Sequence, residues 1–236
     1  MTGTKVPSLP EAWHSETVTR PSSEVHRRGL TVAIPVLVPG GAALVFRLLP
    51  RWMSPRRAYN IGFVAYWVGA CFLLPVWLLG PQRVKNVLTR GRVPHSKETT
   101  LLLLPVVGAI ATELLPNRRG VEPRVATVMV TTAAVNAVSE ELLWRGLFLE
   151  QFPDDVVRGC LWPLAGFTAW HLAPQLILPS SKGRFRFLAG SAVVGGVSAA
   201  VSWRHKGLRH VMLPHALTDA CGVSAARFRL GKPLSQ

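Results

Sequence analysis

Six ionisable side chains lie deep within long apolar stretches of the sequence. They are Glu140, Glu141, Arg145, His171, His215 and Asp219. A charged group inside a bilayer costs several kcal/mol, so such residues usually face a protein interior and carry function. Residues four apart share one face of a helix, so the spacing predicts that Glu141 pairs with Arg145 and that His215 lies beside Asp219.

Hydrolysis suits a group of this composition. If the last four apolar stretches alternate in direction, a rise of 1.5 Å per residue places four of the groups in one layer of the membrane, at depths of roughly 13 Å for Glu140, 18 Å for His171, 10 Å for His215 and 16 Å for Asp219. A buried glutamate can act as general base on a water molecule, and histidines can hold that water or stabilise an oxyanion. Zinc also accepts histidine and carboxylate ligands, so spacing alone leaves metal-free and metal-dependent water activation open.

The elements that must position these groups are seven apolar stretches. They contain only seven of the 39 charged residues, and they cover 29–49, 59–80, 99–115, 125–149, 159–178, 187–203 and 208–226. Each has the 17–25 residues that cross a bilayer core. Only helices or closed barrels can span, because hydrocarbon offers the backbone no hydrogen-bond partners, and these stretches are too long and uniformly apolar for barrel strands. The sequence therefore predicts an all-α, polytopic transmembrane bundle of about seven spans.

The charge pattern predicts the boundaries of this domain and its surroundings. We expect a polar, flexible tail over 1–28, the transmembrane domain over 29–226 and a short basic tail over 227–236. The net charge of +15 comes from lysines and arginines clustered in short loops. Such clusters anchor helix ends at anionic lipid headgroups, so membrane lipid is the expected partner and nucleic acid is not.

Three short motifs follow one another on successive apolar segments. Residues 139–146 read SEELLWRG, which contains EExxxR; residues 167–171 read FTAWH, which fits FxxxH; and residues 215–219 read HALTD, which fits HxxxN/D. In this order they resemble the CAAX protease and bacteriocin-processing family of intramembrane proteases, also called Rce1-like or abortive-infectivity proteins. The resemblance covers about residues 124–224.

The resemblance implies a role for each motif residue. Glu140 would activate a water together with His171, and Glu141 and Arg145 would support and orient it. His215 and Asp219 would position the substrate carbonyl or stabilise the oxyanion. Eukaryotic-type members carry asparagine at the position of Asp219, and a negative charge there favours metal binding or a second proton acceptor over an oxyanion role.

Whether a divalent metal such as zinc takes part is left open, and its candidate ligands are Glu140, His171, His215 and Asp219. The aromatic residues Phe167, Trp144 and Trp170, which lie beside the motifs, are expected to pack rather than to contact substrate.

The function predicted from this pattern is intramembrane endopeptidase activity on a membrane-associated peptide, either prenylated or bacteriocin-like. The expected location is the cell membrane of a prokaryote, with several passes through it. A non-catalytic membrane scaffold or immunity protein that retains the pocket is the main alternative. An ion or proton transporter is a weaker one, because the sequence lacks the internal repeat that transporters often show.

Overall fold

The computed structural model describes residues 22–118, 123–180 and 183–222. These residues form helices and the turns between them. The helices are α1 Ser22–Leu48, α2 Pro55–Ala65, α3 Leu74–Leu79, α4 Pro81–Thr89, α5 Ser96–Ala109, α6 Leu115–Asn117, α7 Pro123–Glu141, α8 Leu147–Gln151, α9 Trp162–Trp170, α10 Arg184–His205 and α11 Met212–Cys221. The predicted all-α class is confirmed for the described residues.

Several of these helices are joined by π-helical turns, in which hydrogen bonds run from residue i to i+5 and the chain is wound more loosely than in an α-helix. Such turns run over Tyr66–Leu73 between α2 and α3, over Ile110–Leu114 between α5 and α6, and over Leu142–Gly146 between α7 and α8; a fourth, Val157–Leu161, leads into α9. π-Helical turns are rare and often occur at functional sites. The turn at Leu142–Gly146 follows directly on the Glu140–Glu141 pair.

Three helical segments of the described chain are long and apolar enough to cross a membrane by length and composition: Glu24–Arg51, Pro55–Leu79 and Arg184–His205. The chain is therefore a membrane protein with apolar helices of spanning length, whereas the full set of seven spans stays a prediction. The predicted stretches 159–178 and 208–226 contain the helices α9 and α11, which are both shorter than a span. The helix α11 has ten residues, which is about 15 Å at the usual rise, against a hydrocarbon core of about 30 Å.

The predicted stretch 159–178 is not one continuous helix, because α9 ends at Trp170. The backbone N–H groups of residues 171, 172 and 173 each donate to the carbonyl three residues earlier, so the helix tightens into turns. Pro174, which has no N–H, then begins a short 3₁₀ turn that ends at Leu176. His171 consequently lies at the carboxyl end of α9, where its side chain is not enclosed by further helix.

The structure changes one predicted boundary, at the amino end of the chain. The helix α1 begins at Ser22, seven residues before the start of the predicted stretch, so the last part of the predicted tail is helical. Residues 1–21 and the predicted basic tail 227–236 lie outside the described residues.

The centre of the fold is the segment that follows the glutamate pair. Residues 142–149 are all buried, including the Trp144 and Phe148 side chains. A helix that is apolar and covered on every side must lie inside a bundle. Around it, α7 packs on α11, α1 packs on α9, and α10 packs on α9. This arrangement places the end of α7 between the helices that carry His171 and His215.

Candidate active site

Glu141 and Arg145 form the predicted ion pair in the protein interior. The Arg145 Nη1 atom lies 3.4 Å from Glu141 Oε1, and the two residues are 2% and 0% exposed. Arg145 also donates from Nη2 to the Gly195 carbonyl oxygen at 3.1 Å, and its guanidinium lies 4.2 Å from the centre of the Phe167 ring. The close approach requires a glycine, because a Cβ on Gly195 would lie 2.6 Å from that ring. The ion pair therefore joins α7 to α9 and α10.

Glu140 is held by three donors from three different segments. Its Oε1 atom accepts from the Tyr66 hydroxyl at 3.2 Å and from Trp170 Nε1 at 2.8 Å. Its Oε2 atom accepts from Asn136 Nδ2 at 3.2 Å. Oε1 therefore has both lone pairs engaged, while Oε2 has one donor and retains capacity to accept a proton.

Tyr66 is itself fixed in position by the residues around it. Its hydroxyl oxygen accepts from Trp144 Nε1 at 2.7 Å, which leaves its own hydrogen to donate to Glu140. Its ring stacks on that of Trp170 with a centroid separation of 3.5 Å and an interplanar angle of 17°. Trp170 thus orients the carboxylate directly, and Trp144 does so through the Tyr66 hydroxyl, in addition to the packing that the sequence predicts for both.

Asn136 connects the EExxxR motif to the HxxxD motif. Trp67 Nε1 donates to its Oδ1 atom at 2.7 Å, which fixes the orientation of the amide. The Nδ2 group then donates to Asp219 Oδ2 at 2.7 Å and to Glu140 Oε2 at 3.2 Å. Both hydrogens of the amide are therefore used on two carboxylates that would otherwise repel each other.

His215 is buried among three carboxylates. Its Nδ1 atom lies 2.8 Å from Glu141 Oε1, and its Nε2 atom lies 3.7 Å from Glu140 Oε2 and 3.6 Å from Asp219 Oδ2. The predicted proximity of His215 and Asp219 is confirmed. The His215 side chain is buried and is not among the residues that line the cavity described below.

His171 follows the last residue of α9 and is partly exposed. Its Nδ1 atom is 2.7 Å from the Phe167 carbonyl oxygen, and a carbonyl only accepts, so Nδ1 carries the hydrogen. Nε2 is therefore the nitrogen with a lone pair. The Gln175 amide donates to the His171 backbone carbonyl at 3.0 Å, which holds the end of α9 in place.

A cavity of about 310 Å³ opens onto these groups. Four of its lining residues, here called the cavity floor, are the motif residues Glu140, His171 and Asp219 and the asparagine that bonds to two of them, Asn136; most of the other lining residues, here called the walls, are apolar or aromatic. The wall residues include Phe63, Val64, Val128, Leu178 and Phe187. Apolar walls around a few convergent polar groups are typical of a ligand-binding site.

Residues 122–221 match the model of the family described as Rce1-like, type II CAAX prenyl endopeptidase. This segment is similar to that family, and we call it the Rce1-like segment. It contains all three motifs and every residue of the cavity floor. No curated protein and no solved structure shows a significant match to the chain. The family match points to CAAX-type intramembrane endopeptidase activity on a peptide or prenylated peptide in a membrane.

The Rce1-like segment brings all six predicted residues into one cluster, but not all of them reach the cavity. Glu140, His171 and Asp219 line it, whereas Glu141, Arg145 and His215 lie in the protein behind it. The sequence did not predict Tyr66, Asn136 or the hydrogen bond from Trp170. Asn136 stands four residues before Glu140 on the same helix face, and this spacing was a usable signal. Tyr66 lies far outside the motifs, and no sequence pattern predicted its contact with Glu140.

The Rce1-like site does not fit a resident divalent metal. Among the described residues, no group of three or more His, Cys, Asp or Glu side chains is arranged to hold a metal ion. The physical reason is the Asn136 amide, which donates to both Glu140 and Asp219 and so fills the position between the oxygens that a cation would bridge.

Proposed function

We propose that this chain is a multi-pass intramembrane endopeptidase in which Glu140 activates a water for attack on a peptide bond. The observation that carries the proposal is the cavity floor. Glu140 and His171 share it, and Glu140 presents an oxygen that still has room to accept a proton. Three fixed donors position this carboxylate before substrate arrives, which is how enzymes avoid reorganisation during reaction.

The chemistry needs one water and one proton acceptor. Glu140 Oε2 takes a proton from the water while the water oxygen forms a bond to the carbonyl carbon. His171 Nε2 accepts the water's other hydrogen as a hydrogen bond and so orients it. When the tetrahedral intermediate collapses, the carbon–nitrogen bond breaks and Glu140 returns its proton to the leaving amine. The products are a carboxylic acid and an amine, and Glu140 is ionised again; the new acid then passes its proton to the amine or to water.

The remaining motif residues act as supports in this proposal. Arg145 holds Glu141, and Glu141 in turn accepts from His215 Nδ1, so that the His215 ring is fixed beside Glu140. Asp219 stands on the cavity floor with one oxygen held by Asn136. As a carboxylate, it can orient the substrate amide N–H or accept a second proton.

The membrane setting supports a substrate with an apolar part. The apolar walls of the cavity suit an apolar or lipidated peptide, including a prenylated or bacteriocin-like one. We place the site within a bundle of about seven passes in a prokaryotic cell membrane. The three helices of spanning length and the apolar stretches of the Rce1-like segment support this arrangement.

The proposal is tested by cleavage of a membrane-tethered peptide library by the purified full-length protein in lipid vesicles. Glu140→Gln keeps the size of the side chain and removes its basicity, so cleavage should stop. Glu24→Gln, at the surface on α1, is the matched control and should cleave like the wild type. A metal chelator should leave the rate unchanged.

Retention of cleavage by Glu140→Gln would exclude the glutamate base, and loss of cleavage with chelator would show that a metal is required. A folded wild type that cleaves nothing, while Glu140→Gln retains its effect in cells, would favour the non-catalytic scaffold.

A further inference from the structure

The buried face of α10 carries three polar side chains that the proposed reaction does not use. Ser198, Ser202 and His205, here called the α10 row, are 3%, 1% and 7% exposed. They are spaced four and three residues apart, so they lie on one face of the helix. Gly195, whose carbonyl accepts from Arg145, stands one turn earlier on the same face. From that buried ion pair to the end of the row, the face runs about 15 Å along α10.

The inner end of the α10 row is connected to the proposed catalytic carboxylate. The Ser198 hydroxyl interacts with the Glu141 carboxylate. Glu141 Oε1 lies 2.8 Å from His215 Nδ1, and His215 Nε2 lies 3.7 Å from Glu140 Oε2. Imidazole and carboxylate groups can take up and release a proton, and a hydroxyl both donates and accepts hydrogen bonds. A set of groups able to carry a proton therefore extends from Glu140 to α10.

The outer end of the row lies at the surface of the protein, away from the cavity. His205 Nε2 lies 2.7 Å from Glu98 Oε2, and Arg204, whose side chain is 68% exposed, lies 3.1 Å from the other oxygen of Glu98. Phe187, which lines the cavity, comes eighteen residues before His205 on α10. This is about 27 Å of helix, close to the thickness of a hydrocarbon core of about 30 Å. In the proposed membrane arrangement, His205 therefore lies towards the surface opposite the cavity, here called the far side.

Unpaired polar atoms along this route mark places that suit internal water. In the part of the chain that the structure describes, Glu141 Oε2, Arg145 Nε and His205 Nδ1 are buried and have no hydrogen-bond partner. The Ser202 hydroxyl donates to the Ala199 carbonyl, and its oxygen can still accept. Buried groups of this kind bind ordered water, which bridges polar groups that do not touch. Rows of acidic and histidine side chains inside membrane proteins serve as proton relays.

The cavity is a poor route for protons once substrate is bound. Most of its lining is apolar or aromatic, so a bound apolar peptide displaces water from around Glu140. We infer that the α10 row is a proton relay, through which Glu140 exchanges its proton with the aqueous phase on the far side while substrate fills the cavity. This inference rests on the proposed endopeptidase activity.

The relay moves one proton and consumes no group. Glu140 Oε2 passes its proton to His215 Nε2, while His215 Nδ1 releases a proton to Glu141. Glu141 gives that proton to water beside Ser198, and it leaves along the α10 row to the far side. Uptake from the far side uses the same groups in reverse and restores the starting tautomer of His215.

Other ionisable groups surround both ends of the relay, so the test must separate their titration from that of the relay. Those around Glu140 are Glu141, Arg145, His171, His215, Asp219, Tyr66 and Cys71. Those around His205 are Glu98, Arg204 and His95. A change of pH on the far side alone leaves the cavity groups His171 and Asp219 unaffected. A substitution in the middle of the row leaves the groups around His205 in place.

The test uses the full-length protein in sealed vesicles, with the membrane potential held at zero and the inner and outer pH set independently. A membrane-tethered peptide is added outside, so that only molecules whose cavity faces outward cleave it. In the wild type, kcat reports the substrate complex and should follow the inner pH. It should fall about tenfold for each unit of acid below the pH at which Glu140 gains a proton. kcat/KM reports the free protein, whose cavity is hydrated, and should respond to the outer pH as well.

Two variants interrupt the relay at different points. Ser202→Val replaces the hydroxyl in the middle of the row with a methyl group, and His205→Gln can still donate to Glu98 but cannot pass a proton on. In both, kcat should lose its dependence on the inner pH and stay within about twofold of the wild type when both sides are neutral. Ser191→Val is the matched control. Ser191 lies on the same face of α10 at the cavity side of Gly195, so this variant should keep the wild-type dependence.

A wild-type kcat that follows only the outer pH would overturn the relay and leave the proposed activity intact. An inner-pH dependence that Ser202→Val and His205→Gln both retain would assign the response to groups outside the α10 row and would also overturn it. Thermal unfolding shows whether each variant is folded, and if one is not, the other decides. A wild type that cleaves no peptide at any pH would instead remove the proposed function and the inference with it.

Discussion

Replacing Asn136 is the clearest test of whether hydrogen bonds, and not packing alone, hold the Glu140 carboxylate in position. Asn136→Leu keeps the volume of the side chain but removes both donors, so Glu140 Oε2 and Asp219 Oδ2 lose bonds of 3.2 and 2.7 Å. Hydrogen bonds to charged groups contribute about 1.5–3 kcal/mol each. Because Asn136 is half-buried beside the cavity and water can replace part of each bond, the lower end of this range applies.

The bond to Glu140 is the one that affects the proton acceptor. Its loss, at about 1.5 kcal/mol, corresponds to about a tenfold fall in kcat. Without the amide, the two carboxylates repel and Glu140 turns away from the position that accepts the water proton. The binding of substrate to the apolar walls is unaffected, so KM should change less than twofold.

The assay is steady-state cleavage of a membrane-tethered peptide, together with thermal unfolding of the same preparations. Asn60→Leu is the matched control, because Asn60 is the second asparagine that lines the cavity and, within the described residues, donates to no carboxylate. If Asn136→Leu and Asn60→Leu have equal kcat values, or if the loss for Asn136→Leu lies entirely in KM, the positioning argument is refuted.

Three further outcomes follow from the contacts described above. Tyr66→Phe removes one of two donors to the inner oxygen of the catalytic carboxylate, so kcat should fall about tenfold in the same assay, and an unchanged kcat would contradict this. Arg145→Met removes the cation that pairs with the buried Glu141 carboxylate, which should destabilise the fold by about 3–5 kcal/mol in thermal unfolding; an unchanged midpoint would argue against a structural ion pair. The pKa of Glu98 is lowered from its ordinary 4.5, chiefly because the His95 backbone N–H donates to its carboxylate. Its stabilising contribution is therefore present above about pH 4.5 and is lost as the pH falls below that value, so Glu98→Gln should flatten the acid limb of the stability curve, and identical limbs would contradict the linkage.

Much of the site could be predicted because its residues stand out against apolar sequence. Glu140, Glu141 and Arg145 are conspicuous where charge is otherwise absent, and a four-residue spacing dictates the pairing of Glu141 with Arg145 in any helix. The same rule predicted that His215 lies beside Asp219. The helical class followed from the length of the apolar stretches, although their ends did not, since α9 stops at Trp170.

Contacts between distant segments had no such signal. Tyr66 reaches Glu140 across 74 positions of the chain, and Asn136 reaches Asp219 across 83. Hydrogen bonds of this kind depend on how helices pack, and packing is decided by the shapes of many side chains at once.

The sequence by itself determined that this chain is a membrane protein and which polar groups its helices turn towards the protein interior. A charge buried in hydrocarbon costs several kcal/mol, so ionisable groups in such stretches usually face protein. Only the tertiary structure decided which of those groups face the cavity. It put Glu140, His171 and Asp219 on the floor and His215 behind them, because the rotation of each helix is set by its neighbours and not by its own periodicity.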